Sequence, residues 1–296
     1  EVAAQLIGYF TQKTHRLRLG IAATMHLIEG GYAMVLVREN ALYAFRDPHG
    51  IRPLVLGRLG SPEDNSWVVA SETCALDIVG ATYIREVEPG EIIKISDDGL
   101  RSERGLTHRD PAACIFEDVY FSRPDSVVDG RSIYWVRHTM GRQLARETSV
   151  DADLVIGVPD SGVPAAEGFA AELGIPFGTG LIKNRYVART FIQPTQDLRR
   201  LGVRLKLNAL ADVVRGKRLV MVDDSVVRGT TSKQIVRMLR DAGACEVHVR
   251  SASPKVMWPC FYGIDTADQD QLIAAYKTTE EICEYIEADS LGFLSL

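Results

Sequence analysis

The chain has 296 residues, room for one large or two ordinary domains, and its 46% apolar and 25% charged content is that of a folded globular protein. A formal net charge of −5 argues against a general nucleic-acid surface, which needs a basic field. No apolar run reaches membrane-spanning length, and five irregularly spaced cysteines do not describe a disulfide framework; the cytoplasm is the default expectation.

The first stretch places Leu6, Ile7 and Phe10 on one helical face. It opens on Glu1 without a methionine or a signal peptide, and the other end stops on an apolar run, EADSLGFLSL. Both ends read as cut, so an internal fragment of a longer protein is expected. From Gly31 the runs YAMVLV, ALYAFRD, PLVLG, SWVVAS and EIIKI, separated by turn residues, predict an antiparallel meander with a short helix at Cys74–Val79. Arg46, Asp47 and Arg52 are compatible with simple turn and salt-bridge chemistry.

After a linker at 107–114 the pattern changes to alternating strands and helices. VYF and LVIGVP read as strands, Tyr134–Glu147 and Ala165–Leu173 as helices, and EVHVRSAS as a further strand. Such alternation predicts a mostly parallel sheet with helices on both faces, binding ligands beyond the carboxyl ends of its strands. The organising stretch is Lys217–Ala242. Leu219, Val220, Met221 and Val222 form a strand buried on both faces, and the adjacent acids Asp223 and Asp224 end it. Ser225 to Thr231 bring hydroxyls, a glycine and an arginine, and a helix follows with Ile235, Met238, Leu239 and Ala242 inward. Thr230 or Thr231 is the expected cap and Gly243 the stop. A strand, a small-residue loop and a helix N-terminus make an anion site. Paired acids beside it would repel a bare phosphate, so the ligand must also bring hydroxyls or a divalent metal. A sugar phosphate with Mg²⁺ is the chemical reading.

VPDSG, residues 158–162, stands at a second strand end. Between the two lies GLIKNRYVARTFIQPTQDLRR, where Lys183, Arg185 and Arg189 alternate with Tyr186 and Phe191. Cations that neutralise a departing pyrophosphate and aromatics that exclude water suit a lid. A polar surface loop is the plain alternative, and Arg204 with Lys206 reads equally well as a solvated face.

VYFSRPDS, VPDSG, KNRYVARTFIQP, VDDSVVRGTT and PCFYGID together resemble the amidophosphoribosyltransferase family over essentially the whole chain. FRDPHGIRPLVLG and ASETCALD resemble the second half of its glutaminase domain. The resemblance implies an α/β type I phosphoribosyltransferase, a mostly parallel sheet with helices on both faces, at 115–296. Before it would come the second half of an α+β glutaminase domain with an N-terminal nucleophile at 1–106. It implies formation of 5-phosphoribosylamine from phosphoribosyl pyrophosphate (PRPP) and glutamine-derived ammonia, with release of pyrophosphate, in purine synthesis. Asp223 and Asp224 match acids that address ribose hydroxyls and Mg²⁺; Ser225, Val226, Arg228, Gly229, Thr230 and Thr231 match the 5-phosphate cradle. Asp160 and Ser161 match the pyrophosphate loop, Ser161 being assigned to the metal site, and Lys183, Arg185 and Arg189 match catalytic positions of the lid. Ala188 departs from the glycine usual there. A cytoplasmic homo-oligomer, a homotetramer, with purine nucleotides as feedback inhibitors is also implied.

Cys114 and Cys260 resemble two ligands of a 4Fe–4S cluster in the iron–sulfur branch of that family, the other two lying nearer the C-terminus of the full-length parent. Cys74, Cys245 and Cys283 read as small buried apolar residues. Glutamine hydrolysis in the family needs an N-terminal cysteine; Glu1 stands at this terminus, so the fragment is expected to use ammonia alone. Another type I phosphoribosyltransferase, a PRPP-sensing regulatory protein and a PRPP synthetase-like protein share parts of the pattern. Lys183, Arg185 and FRDPHGIRPL weigh against all three.

Overall fold

The computed structural model describes residues 1–61, 63–64, 66–106, 110–184, 206–264, 266 and 268–296. They divide into two compact units. One comprises Glu1–Glu117, Asp125–Ser132 and Cys260–Asp265; the other comprises Asp118–Pro124, Ile133–Pro259 and Thr266–Leu296.

The first unit begins with a helical pair, α1 (Val2–Thr14) and α2 (Leu17–Leu27). Strands β1 (Ala33–Arg38), β2 (Ala41–Arg46), β3 (Val55–Arg58) and β4 (Trp67–Ala70) follow. Helix α3 (Thr73–Val79) leads to β5 (Thr82–Glu86), β6 (Glu91–Ser96) and β7 (Gly99–Arg104). Two antiparallel sheets result, ordered β1-β2-β6-β7 and β4-β3-β5. Alternation along a strand sends neighbours to opposite faces. Tyr43, Phe45 and Ile92 accordingly join Ile7, Ile21 and Met25 of the helices, while Ala44 and Ile93 join Leu54 and Leu56 on the other side.

The expected single meander is therefore corrected: the chain leaves the first sheet after β2 and rejoins it at β6. The turn between explains the departure. The buried Asp47 carboxylate accepts the N–H groups of Tyr32, His49, Ile51 and Arg52. Arg46 donates to the carbonyls of Gly50, Arg52 and Val87 and pairs with Glu86. With its polar groups satisfied locally, the backbone has no need of ladder partners. A two-stranded ribbon, β8 (Val127–Val128) with β9 (Arg131–Ser132), completes this unit among the described residues.

The second unit is built on the parallel sheet β10-β13-β14-β15, with β10 (Leu154–Gly157), β13 (Arg218–Asp223), β14 (Glu246–Ser251) and β15 (Ser290–Phe293). Helices α4 (Ile133–Glu147) and α5 (Val163–Leu173) cover one face. The other carries α7 (Thr230–Asp241) and α8 (Thr279–Ile286). A short turn, α6 (Ala211–Val214), follows the antiparallel pair β11 (Leu181–Lys183) and β12 (Leu207–Ala209). Leu154, Ile156, Leu219, Met221, Val247 and Val249 point toward α7 and α8, whereas Val155, Val220 and Val222 point toward α4 and α5. Leu219 to Val222 are fully buried, each contributing about 1.5–3 kcal/mol of transfer energy, so β13 is the centre of the unit.

VYF is not a strand. Glu117–Phe121 is a π-helical turn, and buried Arg137 of α4 explains it. Its guanidinium donates to the carbonyls of Asp118 and Ser122 at 2.6 and 2.7 Å, occupying acceptors that a sheet would have used.

Candidate functional site

The parallel register pairs Gly157 with Val222, so β10 and β13 end side by side. Val158 continues the ladder, its N–H donating to the Val222 carbonyl at 2.9 Å. Beyond that point the chain turns as Pro159-Asp160-Ser161-Gly162 into α5, and as Asp224 to Gly229 into α7. The Pro159–Asp160 peptide bond is cis. Gly162 lies so close beneath β13 that a Cβ would stand 2.6 Å from the Val222 carbonyl oxygen.

The two turns meet at Asp224. Its carboxylate accepts the Ser161 hydroxyl from the first turn and the Ser225 hydroxyl from its own, the latter at 2.6 Å. The Asp224 N–H donates to Asp223 Oδ1 at 2.9 Å. Asp223 is only 7% exposed. Burial, reinforced by the neighbouring Asp224 charge, raises its pKa well above the ordinary value. Burial also raises Asp224, against which the Ser161 and Ser225 hydroxyls and the Arg137 charge act. Two carboxylates pushed toward neutrality by burial, Asp223 also by its neighbour's charge, form a site that gains from a cation.

The donor set suits Mg²⁺. Carboxylate and hydroxyl oxygens are hard ligands, and Mg²⁺ keeps waters or substrate oxygens beside one or two carboxylates. Among the described residues no three His, Cys, Asp or Glu side chains form a metal cage.

The cap of α7 differs from expectation. Gly229 occupies it at φ 72°, with no side-chain cap from Thr230 or Thr231. The position demands glycine twice, since φ is left-handed and a Cβ would meet Ile273 at 3.0 Å and Tyr285 at 3.1 Å. Val226 is buried in the core, leaving only its backbone for a ligand. Arg228 is exposed, and its guanidinium donates to the Gln271 side-chain carbonyl. Lys183, at the end of β11, forms an ion pair with Asp160. Arg185, Tyr186, Ala188, Arg189, Phe191 and Arg204 lie outside the described residues. Asp160, Ser161, Asp223, Asp224, Ser225 and Arg228 thus fall on two neighbouring strand ends and their flanking turns, and Lys183 joins them from the end of β11 through its ion pair with Asp160. Sequence reasoning missed Arg137 and Gln271. An arginine on an amphipathic helix reads as surface, and Gln271 falls outside every motif of the chain.

Cys114 and Cys260 both belong to the first unit. The Cys114 thiol is raised chiefly by burial, with smaller contributions from Glu117 and Cys260, so the two cysteines are near enough to interact. Cys260 Sγ accepts the N–H groups of Tyr262 and Ile264 at 3.3 and 3.4 Å. This suits a thiolate ligand, but two sulfurs fill only half of a four-thiolate shell. Cys74 is buried as expected; Cys245 is exposed, because it falls in the turn between α7 and β14.

Residues 138–252 match the family model of the phosphoribosyl transferase domain. The chain is 59% identical to the amidophosphoribosyltransferase of Synechocystis sp. over 276 residues, 93% of this chain and 56% of the relative. It is 52% identical to that of Bacillus subtilis over 299 residues, 100% of this chain and 61% of the relative. Among solved structures, the glutamine PRPP amidotransferase from B. subtilis complexed with ADP and GMP superposes with a TM-score of 0.87 at 51% identity. That match covers 99% of this chain and 63% of the other. The chain spans between half and two thirds of the length of these relatives. Its fold is the type I phosphoribosyltransferase fold, preceded by part of a glutaminase-like domain, as the motifs implied.

Proposed function

We infer that this chain is a segment of an amidophosphoribosyltransferase and joins ammonia to C1 of PRPP, releasing pyrophosphate and forming 5-phosphoribosylamine. The observation that supports this best is the Ser161–Asp224–Asp223 junction, where two strand ends share one carboxylate. A ligand with a pyrophosphate, two ribose hydroxyls and a 5-phosphate needs such a junction. Asp223 and Asp224 accept the ribose hydroxyls, and the backbone from Ser225 to Thr231 receives the 5-phosphate at the α7 N-terminus. Asp160 and Ser161 belong to the pyrophosphate loop. Asp223, Asp224 and Ser161 would hold Mg²⁺, whose positive charge balances the phosphates and the buried acids. Lys183, with Arg185 and Arg189, neutralises the leaving group as it departs.

The transition state is oxocarbenium-like, by analogy with glycoside cleavage, so the protein contributes positioning, charge neutralisation and exclusion of water rather than a covalent nucleophile. The division into 1–106, glutaminase-like, a linker at 107–114 and 115–296, phosphoribosyltransferase, belongs to the same reading. So do a cytoplasmic homo-oligomer, glutamine as the ammonia source in the full-length protein, and purine nucleotides as regulators. The ADP and GMP bound to the B. subtilis relative support the last of these. In the full-length protein Cys114 and Cys260 would be two of four thiolates on a structural 4Fe–4S cluster. No helix among the described residues is long and apolar enough to cross a membrane.

The test is pyrophosphate release from PRPP with Mg²⁺ and ammonia, without a nucleobase. Turnover that needs ammonia supports the assignment. Turnover that needs a nucleobase, or PRPP binding without turnover, rejects it in favour of another phosphoribosyltransferase or a PRPP sensor.

A further inference from the structure

Behind the cradle loop runs a segment with no recognised motif, Asp268–Ala275, folded as two 3-10 turns, Gln269–Gln271 and Ile273–Ala275. Leu272, Ile273 and Ala274 are buried, which anchors the segment in the core below the loop. The Ile273 N–H donates to the Val227 carbonyl at 2.9 Å, and the Ile273 side chain packs against Gly229. Both ends of the Val227–Gly229 stretch are thereby braced from one side.

Gln271 is the one residue of this segment whose side chain is bonded to the loop among the described contacts. Its Oε1 accepts from Arg228 Nη2, and its Nε2 donates to Asp268 Oδ2 at 3.1 Å. The chemistry permits a single orientation of the amide. A guanidinium only donates and an ionised carboxylate only accepts, so a side chain between them must offer an acceptor to one and a donor to the other. Asp268 thus sets the amide, and the amide sets Arg228. A long exposed side chain would otherwise sample many rotamers and lose that freedom on meeting a ligand.

We propose that Gln271 is a positioning residue of the phosphate cradle, holding the Arg228 guanidinium ready for the 5-phosphate. This rests on the proposed reading of Ser225–Thr231 as the 5-phosphate cradle. Gln271 itself touches no substrate; it acts through Arg228. Because the pre-set arginine contributes equally to ground and transition states, its loss raises KM and leaves kcat unchanged.

The experiment uses the chain in its longest natural form and three probes measured by calorimetry with Mg²⁺: PRPP, ribose 5-phosphate and inorganic pyrophosphate. Gln271→Leu is expected to weaken PRPP and ribose 5-phosphate about fivefold, the scale of one hydrogen bond to an exposed charged group, and to leave pyrophosphate binding unchanged. Gln271→Glu combined with Asp268→Asn, which keeps an acceptor for Arg228 and lets the residue 268 amide donate to the new carboxylate, is expected to bind both sugar phosphates within about twofold of wild type. In the ammonia assay the leucine variant shows the same rise in KM with unaltered kcat. Equal weakening of all three probes, loss of kcat, no change with Gln271→Leu, or failure of the paired Gln271→Glu, Asp268→Asn variant to retain binding would each overturn the proposal. Wild-type protein that binds neither sugar phosphate overturns the proposed function instead, so the two failures are distinguishable.

Discussion

Asp223 carries both the charge of the site and its cost. A carboxylate buried to 7% exposure next to Asp224 is a liability to the ligand-free fold. Because its pKa is raised in the folded state, its contribution to stability is full below the unfolded carboxylate value of about 4 and declines as pH rises through the folded value. Asp223→Asn with Asp224→Asn is therefore expected to melt at or above the wild-type temperature near neutral pH, and to lose the wild type's decline in Tm with rising pH. On the proposed function, the same change should lower catalytic efficiency with PRPP by about 10²-fold or more, since the two charge-assisted contacts proposed for these acids would disappear. If Mg²⁺ and PRPP bind as proposed, they should raise the Tm of the wild type, and the double variant should lose that rise. Thermal melts from pH 4 to 8, with and without ligand, check all three. Near-normal turnover by the double variant would remove these acids from the mechanism.

Among the elements, α4 and α5 owe their close approach to two glycines. A Cβ at Gly141 would collide with the Ala165 carbonyl, and one at Gly168 with the His138 carbonyl. Because backbone cannot step aside as a side-chain tip can, Gly168→Ala should cost about 1–3 kcal/mol or more, read as a lower denaturant midpoint with an unchanged m-value. The opposite face shows a different device. Glu287, in a left-handed conformation at the C-cap of α8, pairs with Arg237 and Lys233 of α7. Arg237 first, then Lys233, holds its carboxyl down to about 2. Here the sign is reversed: the stabilisation is present above the unfolded value of about 4 and is lost as pH falls toward the folded one. Glu287→Gln is expected to melt lower than wild type at pH 6, with the gap closing toward pH 2. A gap that stays constant would mean that the ion pairs contribute nothing.

At the scale of the whole molecule, Cys260–Asp265 belongs by its contacts to the first unit although the residues on either side belong to the second. This return is what brings Cys260 to Cys114. If the pair ligates a cluster, the full-length protein should contain about four iron atoms per chain, and Cys260→Ser should lose them together with the visible absorbance. Cys74→Ala should retain both, since Cys74 is an enclosed core residue. Iron retained in the Cys260→Ser protein would return Cys260 to the role of an ordinary half-buried thiol.

Much of this was determined by the sequence alone, where local pattern and chemistry agree. The run Leu219–Val222 followed by two acids, small residues and an amphipathic helix specifies strand, anion loop and helix, because burial period and loop composition are local properties. The alternation after residue 115 specifies a parallel sheet with helices on both faces for the same reason. Tertiary structure decided the rest. VYF has strand composition, yet Arg137, remote in sequence, took the carbonyls of its turn. Five of the seven N-terminal strands were legible singly, but their division between two sheets was settled at the Arg46–Asp47 turn, whose bonds reach Glu86 and Val87. The Ser161 hydroxyl and the Asp224 carboxylate are 63 residues apart and meet only because β10 and β13 are neighbours in register. Gln271 carries no signal at all in the sequence: a glutamine acquires a role only when folding sets a donor on one side of its amide and an acceptor on the other.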